Sequence, residues 1–193
     1  MTMRILTGLL LLLFALPTAS VANAPALKAG TFDPPRAAPD FSLQSSDGGA
    51  LALHDYRGKV VVLGFGFTSC TEVCPVTLAT LALAHRKLGP AAADVQIVYI
   101  TVDPERDDPA RLQKYLHAFN PTFVGGTGRT EALAAVRKSY GVSAEKHGTG
   151  STYTVAHSSF TYLIDRRGQL RALMPYGRAA DDYVHDLNIL LAE

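Results

Sequence analysis

The chain has 193 residues, 48% of them hydrophobic, which is enough for one buried core and too apolar for a disordered protein. Eighteen basic and 17 acidic residues leave a formal net charge of +1, with no basic run to track a phosphate backbone. Nucleic-acid binding and recognition of an acidic substrate therefore have no electrostatic basis.

The first 24 residues, MTMRILTGLLLLLFALPTASVANA, read as targeting sequence. Arg4 supplies the positive end, Ile5–Leu16 the apolar stretch, and Thr18–Ala24 the small residues of a cleavage region. The apolar stretch falls short of the ~18 residues of a spanning helix. A signal peptide cut after Ala24 or Ala22 is expected; an uncleaved membrane anchor is the alternative, because apolar character extends to Ala22. No Cys is present there to carry a lipid. Either form places the folded part in the periplasm, free or held at the inner membrane. Residues 25–38, rich in Pro, Ala and Gly, read as a linker, and 39–193 as a single domain.

Within that domain Phe41 and Leu43, then Leu51 and Leu53, alternate with other residues around Asp47-Gly48-Gly49, predicting a hairpin. VVVLGFGF at 60–67 and VQIVYITVD at 95–103 are continuous apolar runs, as in strands buried on both faces. Between them, Pro75–Leu88 has helical spacing and a Gly89-Pro90 stop. A Pro-Glu-Arg-Asp-Asp-Pro turn leads to a helix over 110–119. Thr130–Tyr140 predicts a third, with Thr130 as N-cap and Gly141 as stop. Residues 142–156 read as a polar loop. SFTYLID and QLRALMPY pair around Arg166-Arg167-Gly168, and 179–191 is an amphipathic helix. This order predicts an α/β, thioredoxin-like fold: a central mixed β-sheet flanked by helices, with an N-terminal β-hairpin.

The chemistry concentrates in GFGFTSCTEVCPVTLA. Cys70 falls in the turn after a buried strand. Pro75, suited to a first helical position, places Cys74 at or near the N-cap. The positive end of the helix favours thiolate at both sulfurs. A disulfide here would close too short a loop to restrain the unfolded chain much, so the pair points to chemistry rather than stapling. Three intervening residues, where disulfide reductases usually have two, leave room for an ion between the sulfurs. Soft thiolates select Cu(I), and an added imidazole admits Cu(II).

Of the six histidines, His85, His117 and His185 fall among polar residues on helices, and His54 follows the first hairpin. His157 directly precedes SFTYLID, at the loop that packs beside the active-site helix in thioredoxin-like domains, so it is the expected third ligand. His147, on the preceding loop, is the fallback.

FTSCTEVCP, TVDPERD and YTVAHSSFTYLID, in this order, resemble the Sco/SenC family of copper-binding proteins involved in cytochrome c oxidase assembly. The resemblance runs from about Pro39 to Leu191. It implies a thioredoxin-like fold and Cu(I) or Cu(II) held by Cys70, Cys74 and His157. The implied partners are the subunit bearing the binuclear CuA site of the oxidase and other periplasmic copper chaperones. The implied roles are copper delivery, reduction of the apo-subunit's disulfide, or both. Two positions depart from the family: Ala156 replaces an acidic residue common before the histidine, and Thr71-Glu72-Val73 replaces Pro-Asp-Val. Asp103 matches a residue near the copper site, and is equally suited to forming the turn.

Two other classes use the same cysteines. A metal-free thiol-disulfide oxidoreductase would need only Cys70 and Cys74. A peroxiredoxin-type peroxidase would use Thr71 three residues before Cys74, but Phe67 stands where that motif needs Pro.

Overall fold

The computed structural model describes residues 26–150 and 152–193. The expected targeting segment, 1–24, therefore lies outside the described residues, whereas the expected linker lies within them from residue 26. Ten strands form two sheets. The strands are β1 (Gly30–Ala37), β2 (Ser42–Ser45), β3 (Ala50–Ala52), β4 (Val60–Gly66), β5 (Val95–Thr101), β6 (Val124–Thr127), β7 (Ala144–His147), β8 (Thr154–His157), β9 (Thr161–Ile164) and β10 (Gln169–Met174). The helices are α1 (Val73–Lys87), α2 (Pro109–His117), α3 (Thr130–Tyr140) and α4 (Ala180–Leu191).

Eight strands make a mixed sheet in the order β1-β10-β9-β4-β5-β6-β2-β3. β4, β5 and β6 run parallel at its centre, and the outer strands pair antiparallel. The two apolar runs sit in the middle for the reason their sequence suggests: every residue of β4 is buried, so neither face tolerates a polar side chain. Along β4, Phe65 points to the face where Tyr140 of α3 packs, with ring centroids 5.8 Å apart. Gly64 and Gly66 point to the opposite face, toward Tyr99, Thr161 and Cys74 of α1. Leu112 and Leu116 of α2 press on Gly125 on that same face, and Tyr183 of α4 meets the Thr161 hydroxyl there at 2.9 Å. Three helices thus cover one face and α3 the other.

Several sequence expectations change. Residues 25–38 are not simply a tether: Gly30–Ala37 form β1, hydrogen-bonded to β10 at the sheet's edge. Pro34 and Pro35 are compatible with that position because an edge strand does not need every N–H. The 142–156 loop contains β7 and β8, a separate two-stranded ribbon. Finally α1 starts at Val73 rather than Pro75, so Cys74, expected at or near the N-cap, is the second helical residue. Pro75 is then third, still among the N–H groups that lack an intrahelical partner, and breaks no bond. At the third helix, Thr130 is the first helical residue and Arg129 the cap; Gly141 ends it at φ 71° as expected. β6 (VGGT) was not foreseen.

Candidate metal centre

The central strands β4 and β5 end at one rim, and the chain after β4 turns there through Thr68-Ser69-Cys70 into α1. Asp107, fully buried, holds that turn. Its carboxylate accepts from the Thr68 N–H (3.0 Å), the Thr68 hydroxyl (2.6 Å) and the Thr101 hydroxyl (2.7 Å). Arg111 reaches over the outside to donate to the hydroxyls of Thr68 (2.7 Å) and Ser69 (2.9 Å). The loop before the first cysteine is thereby tied to the start of α2.

The two thiols differ sharply. Cys74 is 1% exposed, and burial pushes it up to about 12, despite a hydrogen bond from the Tyr99 hydroxyl and the Phe67 backbone bond that act the other way. Cys70 is half-buried. Burial raises it too, but hydrogen bonds from the Cys74, Glu72 and Val73 backbone and the Cys74 thiol outweigh that, leaving it below its ordinary value. Its Sγ accepts from the Cys74 N–H at 3.4 Å, the helix-end contribution expected from the sequence. Cys70 is therefore the accessible nucleophile and Cys74 the sheltered one.

His157 stands at the end of β8. Its Nε2 lies 3.4 Å from Cys74 Sγ. Its Nδ1 lies 2.8 Å from the Ser158 carbonyl, which can only accept, so that nitrogen carries the proton and Nε2 offers its lone pair to the thiols. Burial lowers its affinity for a second proton, against the smaller opposing effect of the Ser158 bond. Phe67 packs edge-on against the ring, centroids 5.8 Å apart. One ligand atom from each of Cys70, Cys74 and His157 lies within 4.8 Å of the others. Donors bound to one ion at ~2.0–2.3 Å are separated by up to ~4.6 Å, so two sulfurs and one nitrogen here need only a small side-chain movement to close on a single soft ion.

The other histidines stay apart. His147 pairs with Thr154 on the ladder, three positions from the His157 pair and so ~10 Å along the ribbon. His54 bonds to Asp40, His85 contacts Asn120, His117 lies near Asp47, and His185 contacts Asp186. Asp103 does not join the three donors. It is 4% exposed and accepts from Arg106 Nε and the Tyr153 hydroxyl, each at 2.5 Å. Arg106 also donates to the Tyr153 carbonyl (3.1 Å) and lies over the Tyr153 ring at 3.8 Å. This cluster holds down the start of β8, and so bears on His157 from a distance. Ala156 is exposed and alternates away from His157 along the strand.

Sequence reasoning missed Tyr99, Gly66, Tyr153 and Asp107. A Cβ on Gly66 would lie 1.9 Å from the Tyr99 hydroxyl and 2.7 Å from Cys74 Sγ, so only glycine admits both groups. A tyrosine inside the otherwise apolar VQIVYITV was the available signal.

With this geometry in view, comparison with known proteins is specific. A family model described as SCO1/SenC matches residues 30–192. The chain belongs to the SCO1/SenC family. A Mus musculus relative, mitochondrial Protein SCO2 homolog, is 38% identical over 152 residues, 77% of this chain and 60% of that protein. This SCO1/SenC chain thus spans less than two thirds of that relative's length. Bradyrhizobium japonicum ScoI with copper bound superposes with TM-score 0.74 at 34% identity, covering 80% of this chain and 99% of that one. BsSco, described with a disulfide switch and as a member of the Sco family of cytochrome c oxidase assembly proteins, gives TM-score 0.67 at 25% identity, covering 82% and 95%. The expected thioredoxin-like fold is the fold of these neighbours. Among the described residues, no helix is long and apolar enough to cross a membrane.

Proposed function

We propose that this SCO1/SenC protein carries one copper ion as cargo on Cys70, Cys74 and His157, and serves maturation of the CuA site of cytochrome c oxidase. The observation that supports it most is the convergence of two sulfurs and one imidazole nitrogen within 4.8 Å, from segments 83 residues apart. Three protein donors leave an ion open to attack, so an incoming partner thiolate or imidazole can displace them one at a time. Binding requires deprotonated Cys and neutral His, and burial shifts His157 toward its neutral form. The partners are the CuA-bearing subunit and other periplasmic copper chaperones. The place of action is the periplasm, after export by the leader or while anchored by it to the inner membrane.

A second activity is favoured by the unequal thiols. Cys70 can attack a partner disulfide and Cys74 can resolve it. The partner then leaves with two thiols, and the Cys70–Cys74 pair is left oxidised. No third protein is needed for that exchange. A peroxidase reading gains no such support.

The test is copper titration of the reduced full chain beside His157→Ala, with spectroscopy that separates sulfur from nitrogen ligation. About one copper per chain is expected, with affinity falling at least ~10-fold in the variant. Unchanged affinity and spectrum in His157→Ala would remove the histidine, and with it the chaperone reading.

A further inference from the structure

Among the described residues the β7–β8 ribbon has no third strand, and the outer edge of β8 borders a groove of about 410 Å³ beside Cys70. Thr154, Val155, Ala156 and His157 form one wall of it, and Ser69–Val73 the other. Successive side chains on a strand alternate between faces, so a groove lined by four in a row meets the strand edge-on.

The backbone polarity of that edge follows from the ladder. The Ser158 N–H donates to the Ser143 carbonyl at 3.1 Å, and the register continues Ala144↔His157, Glu145↔Ala156, Lys146↔Val155, His147↔Thr154. In an antiparallel pair, residues that exchange bonds alternate with residues that do not. Ser158, Ala156 and Thr154 therefore turn their backbone groups toward β7, while His157 and Val155 turn theirs outward. Among the described residues, no backbone hydrogen bond from outside the ladder reaches them.

Exposed edges invite pairing unless something blunts them. β1 carries Pro34, Pro35 and Arg36; β3 has three residues; β7 carries Glu145 and Lys146, with Lys146 paired to Glu105 at 2.7 Å. The Thr-Val-Ala-His of β8 has none of these devices. Arg106 caps the Tyr153 carbonyl at the start of this edge, and from Val155 onward it is, among the described residues, the one edge left undefended and the one facing the reactive thiol.

We propose that the outer edge of β8 receives an extended, cysteine-bearing segment of a partner polypeptide as an added strand, which brings the partner's sulfur across the groove to Cys70. This rests on the thiol-exchange reading above and names its substrate class. Outward N–H and C=O groups on two residues, ~6.8 Å apart, match alternate residues of an extended backbone; a small thiol can meet only one of the two. In the step itself the Cys70 thiolate attacks one sulfur of the partner's disulfide. That S–S bond breaks, a Cys70–partner disulfide forms, and the second partner sulfur leaves as thiolate. Cys74 then gives up its proton to water, attacks Cys70 Sγ and releases the first partner sulfur. The chain's dithiol is oxidised and the partner's disulfide reduced.

The test uses the full chain with Cys74→Ser, which stops at the mixed disulfide. The reduced protein is reacted with a proline-free octapeptide whose central Cys is activated with 5-thio-2-nitrobenzoate, and separately with oxidised glutathione. Amide exchange followed by NMR should slow at least ~10-fold at Val155 and His157 in the peptide adduct relative to the glutathione adduct, and stay unchanged at Thr154 and Ala156. Val155→Pro removes one outward N–H while leaving the bonds to β7, and should slow the peptide reaction about fivefold with glutathione unaffected. A peptide adduct with unprotected Val155 and His157, or protection equal in both adducts, overturns strand addition and leaves thiol exchange standing. Failure to form either adduct overturns thiol exchange itself.

Discussion

Two parts of the molecule supply the donors, and they are built by opposite means. Cys70 and Cys74 follow β4, whose residues are all buried, and their loop is fixed by the fully buried Asp107 and by the close fit of Gly66, Tyr99 and Cys74. His157 ends a four-residue strand in a ribbon outside the main sheet, fastened by Tyr153, Arg106 and Asp103 and by the Ser143–Ser158 hydroxyl contact. A buried carboxylate and close packing together fix the thiols, whereas the imidazole rests on fewer contacts, most of them polar, with Phe67 packed against its ring. A site that must release its cargo benefits from this inequality: the ligand on the less anchored element can let go first.

The largest expected effect breaks the packed half. Gly66→Val would drive a Cβ into the Tyr99 hydroxyl and Cys74 Sγ, and overpacking costs ~1–3 kcal/mol or more. A chemical-denaturation midpoint equal to wild type would show that this half is not rigid. Tyr153→Phe sharpens the contrast from the other side. It strips a hydrogen bond from buried Asp103, at about 1–3 kcal/mol. Copper affinity should fall while the alkylation rate of Cys70 in metal-free protein stays put; a fall in both would mean the two halves are coupled.

A third measurement uses pH. In metal-free reduced protein, iodoacetamide at pH 8 should label Cys70 well before Cys74, as read by peptide mass spectrometry, because Cys74 lies at about 12 and Cys70 below 9.0. Sheltering of the neutral Cys74 thiol stabilises the fold fully below its unfolded value near 9.0 and is lost as pH rises toward about 12. Cys70 has the opposite sign, so the effect is to be read as the difference between wild type and Cys74→Ala. Equal labelling of both cysteines would remove the asymmetry. The smallest effect belongs to Lys146→Ala. It removes an exposed pair with Glu105 and a cation–π contact 3.7 Å from the Tyr153 ring, so the thermal midpoint should stay close to that of wild type, and a clear drop would show that Lys146 shares in anchoring the ribbon.

Much of this architecture was readable in advance where burial dictates composition. VVVLGFGF lies in a fully enclosed strand and VQIVYITV in one enclosed at every position but Gln96, and enclosure favours long apolar runs. β6 escaped notice because Gly125 and Gly126 carry no strand signal. They are small because α2 and the hairpin press in: a Cβ would come within 2.5 Å of Leu112 at Gly125 and within 2.9 Å of Leu51 at Gly126. The β7–β8 ribbon escaped because half its residues face water and its composition is that of a loop. His157 nonetheless lies 3.4 Å from Cys74 Sγ, since its place before β9 sets its position whatever the ribbon's form. The supporting residues were hidden for a different reason. Asp107 and Tyr153 matter through contacts 39 and 50 positions away, which local pattern does not record.

β1 has one further consequence. It runs antiparallel to β10, β10 to β9 and β9 to β4, so Gly30 enters at the same rim where β4 delivers the cysteines, three strand spacings or ~14 Å across. An anchor at the N-terminus would therefore hold the polypeptide by its working end. A leader left uncut would keep the donor cluster turned toward the lipid surface, within reach of membrane-embedded acceptors, while a severed one would let the domain tumble and meet them at random.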